Sequence, residues 1–216
     1  MLLPLFGVVA FAAVTPASQT NGFAAPEPLN PGGVFRVSDY PKRALVNNEG
    51  GFARYEATID PTGKVERCDL LVETGVADLD KATCRLMLSR ARFKPAVDEI
   101  GQPTYGVVRA WNSWQVGKWL KAKRPRSFDL SLALSRLPSN LPSPTYVSVV
   151  AGVDETGRIK ECRPASPGHD SKLNELACAQ VTALKDWSPA KTKSGTPVSS
   201  VQLITVQFSA EASTMP

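Results

Sequence analysis

The feature that most constrains this chain is that one segment of it occurs twice. A single ungapped shift carries Asp60 onto Asp154, Gly63 onto Gly157, Val65 onto Ile159, Cys68 onto Cys162, Leu79 onto Leu173 and Cys84 onto Cys178. It also carries Phe93 onto Trp187, Pro95 onto Pro189, Ala96 onto Ala190, Gly101 onto Gly195 and Pro103 onto Pro197. So many rare residue types coinciding at one offset mark an internal repeat, which sets the architecture before any local propensity does. Upstream the register changes slightly: Ser38, Tyr40 and Pro41 align with Ser135, Leu137 and Pro138, and the second copy lacks the Glu49-Gly50-Gly51 turn. The predicted modules span residues 34–116 and 128–209, with a basic linker over 117–127.

Each copy reads as the same succession of elements. Phe52 to Ile59 and Tyr146 to Val153 are β-rich runs, closed by Asp60-Pro61-Thr62-Gly63 and Asp154-Glu155-Thr156-Gly157. Asp at the first position and Gly at the fourth suit a type I turn, so a hairpin follows. Leu79, Ala82 and Leu86, and Leu173, Leu176, Val181 and Leu184, then recur at helical spacing, with Asp78 and Ser171 as expected N-caps. Pro95 and Pro189 close the helical regions, and a last strand covers about 104–116 or 198–209. The expected class is α+β: two tandem β-β-α-β modules, each an antiparallel three-stranded sheet with a helix packed on one face.

Residues Leu2 to Val14 are apolar apart from Gly7 and precede the small-residue stretch Thr15-Pro16-Ala17-Ser18. This predicts a signal peptide and short linker over 1–24, cleaved after Ala17 or near Ala24; the alternative is an uncleaved N-terminal membrane anchor. In an oxidising compartment, four cysteines at the same spacing in both copies predict a disulfide framework. Three pairings are open, but a module duplicated as a unit keeps its bond within itself, so Cys68 pairs with Cys84 and Cys162 with Cys178. Zinc needs closer cysteine pairs or more histidines than His169 alone, and redox catalysis is expected to show a C-x-x-C that is absent.

The net charge of +5 does not mark the modules, which are both close to neutral. It lies in Lys118, Lys121, Lys123, Arg124 and Arg126, within the linker. Such a cluster reads either as a solvated connector or as a docking patch for an anionic surface. No catalytic constellation emerges. His169 falls in a turn, Asp60 and Asp154 are turn formers, and Trp114 aligns with Phe208 as a core residue, although Trp111, Trp114 and Trp119 together suggest a stacking face. No enzyme activity, metal, cofactor, small-molecule substrate or nucleic-acid partner is expected.

The ordered set Tyr40-Pro41-x-x-Ala44, Glu49-Gly50, Asp60-x-x-Gly63-x-Val65, Thr74-Gly75, Leu79-Asp80-x-Ala82, Arg92-Phe93-x-Pro95-Ala96 and Gly101-x-Pro103 resembles the C-terminal domain family of the energy transducer TonB. The second copy keeps Asp154-x-x-Gly157, Leu173, Trp187-x-Pro189-Ala190, Gly195-x-Pro197 and Phe208, but has Leu137-Pro138 and Asn174 where the first has Tyr-Pro and Asp. The resemblance implies a periplasmic domain that binds an extended peptide of an envelope protein, such as a TonB-dependent outer-membrane transporter, by strand addition. The expected edge is the last strand, at Val107, Arg109 and Trp111 and at Val201, Leu203 and Thr205; the alternative is that these strands are core or are covered by the sister module. Residues 18–33 extend only ~50 Å as polyproline II, short of the spacer a transducer carries. The expectation is therefore a binding protein linked to transmembrane transport. Its rival is a structural cell-envelope module docking through Lys121, Lys123 and Arg124. Monomer and strand-exchanged dimer are both open.

Overall fold

The computed structural model describes residues 23–115, 125, 127–166, 170–184 and 187–210. Residues 1–22 of the predicted signal segment and linker, the linker cations, Trp119 and His169 lie outside the described residues. In chain order the elements begin with β1 (Glu27–Pro28) and, after two 3-10 turns, α1 (Lys42–Val46). Then come β2 (Gly51–Ile59), β3 (Val65–Val72), α2 (Ala77–Arg90), β4 (Phe93–Lys94), β5 (Ala96–Val97) and β6 (Pro103–Trp114). The second half has β7 (Leu130–Leu134), β8 (Thr145–Val153), β9 (Ile159–Pro164), α3 (Ser171–Ala183), β10 (Ala190–Lys191), β11 (Pro197–Val198) and β12 (Ser200–Ala210).

The hairpin turns form as their residues dictate. Asp60 Oδ1 accepts from the Thr62 amide (2.8 Å), the Thr62 hydroxyl (2.6 Å) and the Lys64 amide (3.1 Å). Asp154 does the same with Thr156 and Arg158. Gly63 and Gly157 have φ of +83° and +81°, and a Cβ there would stand 2.0 Å from the Phe93 carbonyl oxygen or 2.1 Å from that of Trp187. Only glycine fits either site.

The helix starts differ from expectation by a residue or two. Helix α3 is capped by Asp170, not Ser171: its carboxylate accepts from the Lys172 and Leu173 amides. Asp78 lies inside the first turn of α2, whose N-cap is Val76 without a side-chain bond. That entry is held instead by Asp80, which accepts from the Thr74 amide and hydroxyl, both at 2.8 Å. Leu184 lies just past the end of α3 and is exposed.

Each helix covers its own apolar cluster. Leu79, Ala82, Leu86 and Met87 of α2 meet Tyr55, Ala57, Ile59 and Trp114, while Leu173, Ala177 and Val181 of α3 meet Val149, Val153, Ile204, Val206 and Phe208. Disulfides Cys68–Cys84 and Cys162–Cys178 bind β3 to α2 and β9 to α3, as predicted. In the entropy model each such loop closure contributes about 3 kcal/mol.

The strands do not form two separate sheets. They join into one eight-stranded sheet with the path β3-β2-β6-β12-β8-β9, β5 pairing with β6 and β7 with β12. The junction is parallel, with Tyr105, Gly106 and Val107 beside Ser200, Val201 and Gln202. Because side chains alternate along a strand, this register decides where the helices lie. Gly106 is in phase with Val108, Ala110 and Trp114, which face α2, whereas Val201 is out of phase with Ile204, Val206 and Phe208, which face α3. Helices α2 and α3 therefore pack on opposite faces.

An N-terminal strap crosses this junction. Its residues pair along the first half, with Glu27 and Pro28 against Lys94 and Phe93, and Ala24 against Val97. Its Phe23 then buries itself beside Ala96, Val150 and Val201, under the Arg163 guanidinium. Pro26 rests on Gly106, where any Cβ would clash at 2.1 Å.

Candidate partner-binding edge

The two last strands meet where both were expected to be free. Val107 and Val201 are 1% and 3% exposed and lie in the parallel junction, so neither is available to a partner. Thr205 is closed in another way: Asp129 takes its amide on Oδ2 at 2.8 Å and gives its own amide to the Thr205 carbonyl at 2.7 Å. The carboxylate also receives Arg54 at 2.7 Å, with only 8% of the Asp129 side chain exposed. Beyond it, Val206 to Ala210 pair with Leu130 to Leu134 of β7. Of the three expected residues on β12, Leu203 alone stands exposed.

The corresponding side of β6 is different. Past Val107, no described strand lies along β6 on the side away from β2. Arg109 sits at the head of this stretch, giving Nε to Glu56 (2.7 Å) and Nη2 to Gln202 (2.9 Å), and so ties the two halves together. Trp111 follows, half-buried. Buried nitrogens without an acceptor occur on both faces of this stretch, Arg54 Nε, Arg109 Nη1 and Trp111 Nε1 on one and Asn112 Nδ2 on the other. Buried donors left unmatched cost about 1–3 kcal/mol each.

The outer end of β6 is framed by the segment before α1. Tyr40 packs edge-on against Trp114, 5.5 Å between centroids, and donates its hydroxyl to the Glu49 carbonyl. Phe35 stands 6.0 Å from the same indole, and Trp114 Nε1 donates to Thr83 at 2.8 Å. Asp39 holds the segment in its turn, accepting Arg36 N at 2.9 Å and both Arg90 terminal nitrogens at 2.5 and 2.8 Å. The Arg90 bonds lead in keeping the Asp39 carboxyl below its ordinary value. Between this segment and β6 lies a cavity of about 140 Å³.

Sequence reasoning placed Arg109 and Trp111 on this edge but missed Asn112, Phe35, Arg36 and Asp129. Asn112 alone carried a signal, as a polar residue in phase with Ala110 and Trp114 on the helix-facing side of a strand. Among the described residues, no group of three or more metal-ligating side chains is assembled. No described helix is long and apolar enough to cross a membrane.

Residues 37–111 match the family described as Gram-negative bacterial TonB protein C-terminal. That stretch, a part of the first half, is similar to a TonB C-terminal domain, a domain of envelope proteins linked to transport. Comparison with curated proteins returns no match.

Proposed function

We propose that this is a periplasmic protein that binds extended segments of envelope proteins, outer-membrane transporters among them, by strand addition to the stretch of β6 past Val107 that is left unpaired on its β12 side. The second half is read as a diverged copy of the first, so that modules at 34–116 and 128–209 flank the basic linker and a cleaved signal segment precedes them. The observation that carries the reading is that side of β6: it has no described strand past Val107, while β7 already occupies the same side of β12. An unpaired edge offers a partner main-chain hydrogen bonds with little demand on sequence.

Photo-crosslinking in intact cells tests it, with the reactive residue at Ser113, exposed on β6, and a control at Ser209, where β7 covers β12. Capture of an envelope protein from Ser113 and not from Ser209 is expected. Equal capture from both sites, or none from either, sinks the proposal.

A further inference from the structure

The cavity at the outer end of β6 differs chemically from the rest of the edge. Its walls are Phe35, Tyr40 and Trp114, and its polar lining includes Arg36 and Asn112. No carboxylate is among the described residues that line it. Asn112 is 8% exposed, and its Nδ2 has no acceptor within the protein. Arg36 is exposed and makes no salt bridge among the described residues, though its charge also acts on Asp39, the partner of Arg90. Burial and the charge of Glu49 push the Tyr40 hydroxyl above its ordinary value, which keeps it a neutral donor to the Glu49 carbonyl. The lining therefore offers hydrogen from Asn112 and a positive rim from Arg36 over an aromatic floor, while the Glu49 carboxylate, outside the lining, acts on the Tyr40 wall with the opposite charge.

Its size limits the occupant. A dry cavity of about 150 Å³ holds one benzene ring, so about 140 Å³ takes a single side chain. The sister half indicates how that side chain arrives. There, Leu130, Leu132 and Leu134 of β7 turn alternate side chains onto the α3 core while the backbone runs along β12. In the first half Gly33 to Val37 precedes α1, but its 3-10 turns and the Asp39–Arg90 pair keep it off β6, and the cavity lies in the gap.

We propose that this cavity is an anchor pocket for one carboxylate-tipped side chain, of glutamate size, on an extended peptide lying along β6: Asn112 donates to the carboxylate, Arg36 pairs with it at the rim, and the aromatic walls cover its methylene stem. The inference rests on the strand-addition reading and adds the anchor's chemistry to it. Charge-assisted hydrogen bonds are roughly twice as strong as neutral ones, so the acid outranks its amide.

The probes are synthetic heptapeptides Val-Thr-Val-X-Val-Thr-Val with X as Glu, Gln, Val or Lys, titrated against the full chain by calorimetry. Amide NMR spectra follow the Asn112 side chain. The Glu peptide is expected to bind about tenfold more tightly than the Gln peptide and to shift the Asn112 side-chain amide signals. In the surface variant Arg36→Glu the order of Glu and Lys peptides should reverse while the thermal midpoint stays put. Equal affinity for all four peptides, or unmoved Asn112 signals, overturns the pocket and leaves strand addition standing. Binding by none of them overturns both.

Discussion

Past the parallel junction, the sides of β6 and β12 that had been turned toward each other end differently. Along β12 the chain supplies its own covering: Asp129 plugs Thr205, and β7 runs parallel beside Val206 to Ala210. Along β6 the corresponding segment turns away through two 3-10 turns and leaves a cavity. The difference traces to a few side chains. Asp39 on its arginine fixes the first segment in turns, whereas Leu130, Leu132 and Leu134 alternate so that a strand buries them. The two halves thus reach two outcomes beside their last strands, a covered one and an open one.

Several measurements break or sharpen this contrast. The largest effects belong to what the halves share. Gly63→Ala and Gly157→Ala each force a Cβ into a carbonyl oxygen at positive φ, and each is expected to cost about 4 kcal/mol in urea unfolding, near the upper end for single substitutions. Next, replacing Cys68 and Cys84 together by serine, or Cys162 and Cys178, should cost about 3 kcal/mol. Either loss should lower one common transition, because the sheet is continuous; two separated transitions would show that the halves unfold independently.

The contrast itself is probed by Asp129→Ala. It removes the Arg54 pair and the clamp on the Thr205 backbone, costing about 2 kcal/mol, and should make the β12 edge protease-sensitive and peptide-binding. Leu132→Ser, at a half-buried position, loosens β7 for about 1 kcal/mol. If β12 then binds the peptide array as β6 does, covering alone separates the two edges.

Least in magnitude is a pH effect. Asp154 is held well below the ordinary carboxylate range, first by the Thr156 hydroxyl and then by the Arg158 amide. At Asp60, partial burial works against the bonds from Thr62 and Lys64, and the net lowering stands. A depressed folded-state value means that each turn's contribution is present above the unfolded value of 3.8 and is lost as pH falls through the folded one. Carboxyl NMR titration should place the Asp154 midpoint below that of Asp60.

What was readable in the sequence was local. The Asp-x-x-Gly turns, the helix faces around Leu79 and Leu173 and the cysteine pairs are set by spacing within some twenty residues. The α3 cap slipped by one residue because Asp170 and Ser171 are both good caps, and only the bonds to Lys172 and Leu173 decide between them. The parallel junction was not readable: Tyr105 to Val107 and Ser200 to Gln202 pair across almost half the chain, and nothing in either run names its neighbour. The strap was hidden for the same reason, since Phe23 lies in a Pro-rich stretch that reads as linker. The bridge from Arg109 to Gln202 was not legible either.

The strap has a consequence for the order in which the molecule takes shape. Phe23 is among the first of the described residues to leave the ribosome, yet its seat is built in part from Val201, near the other end of the chain. Neither half can complete that seat alone. Seating Phe23 therefore requires a contact of very high sequence separation, of the kind that slows folding. Until then the strip around Gly106, Val150 and Val201 stays bare, and during that interval a nascent chain is most exposed to pairing with the wrong copy of itself.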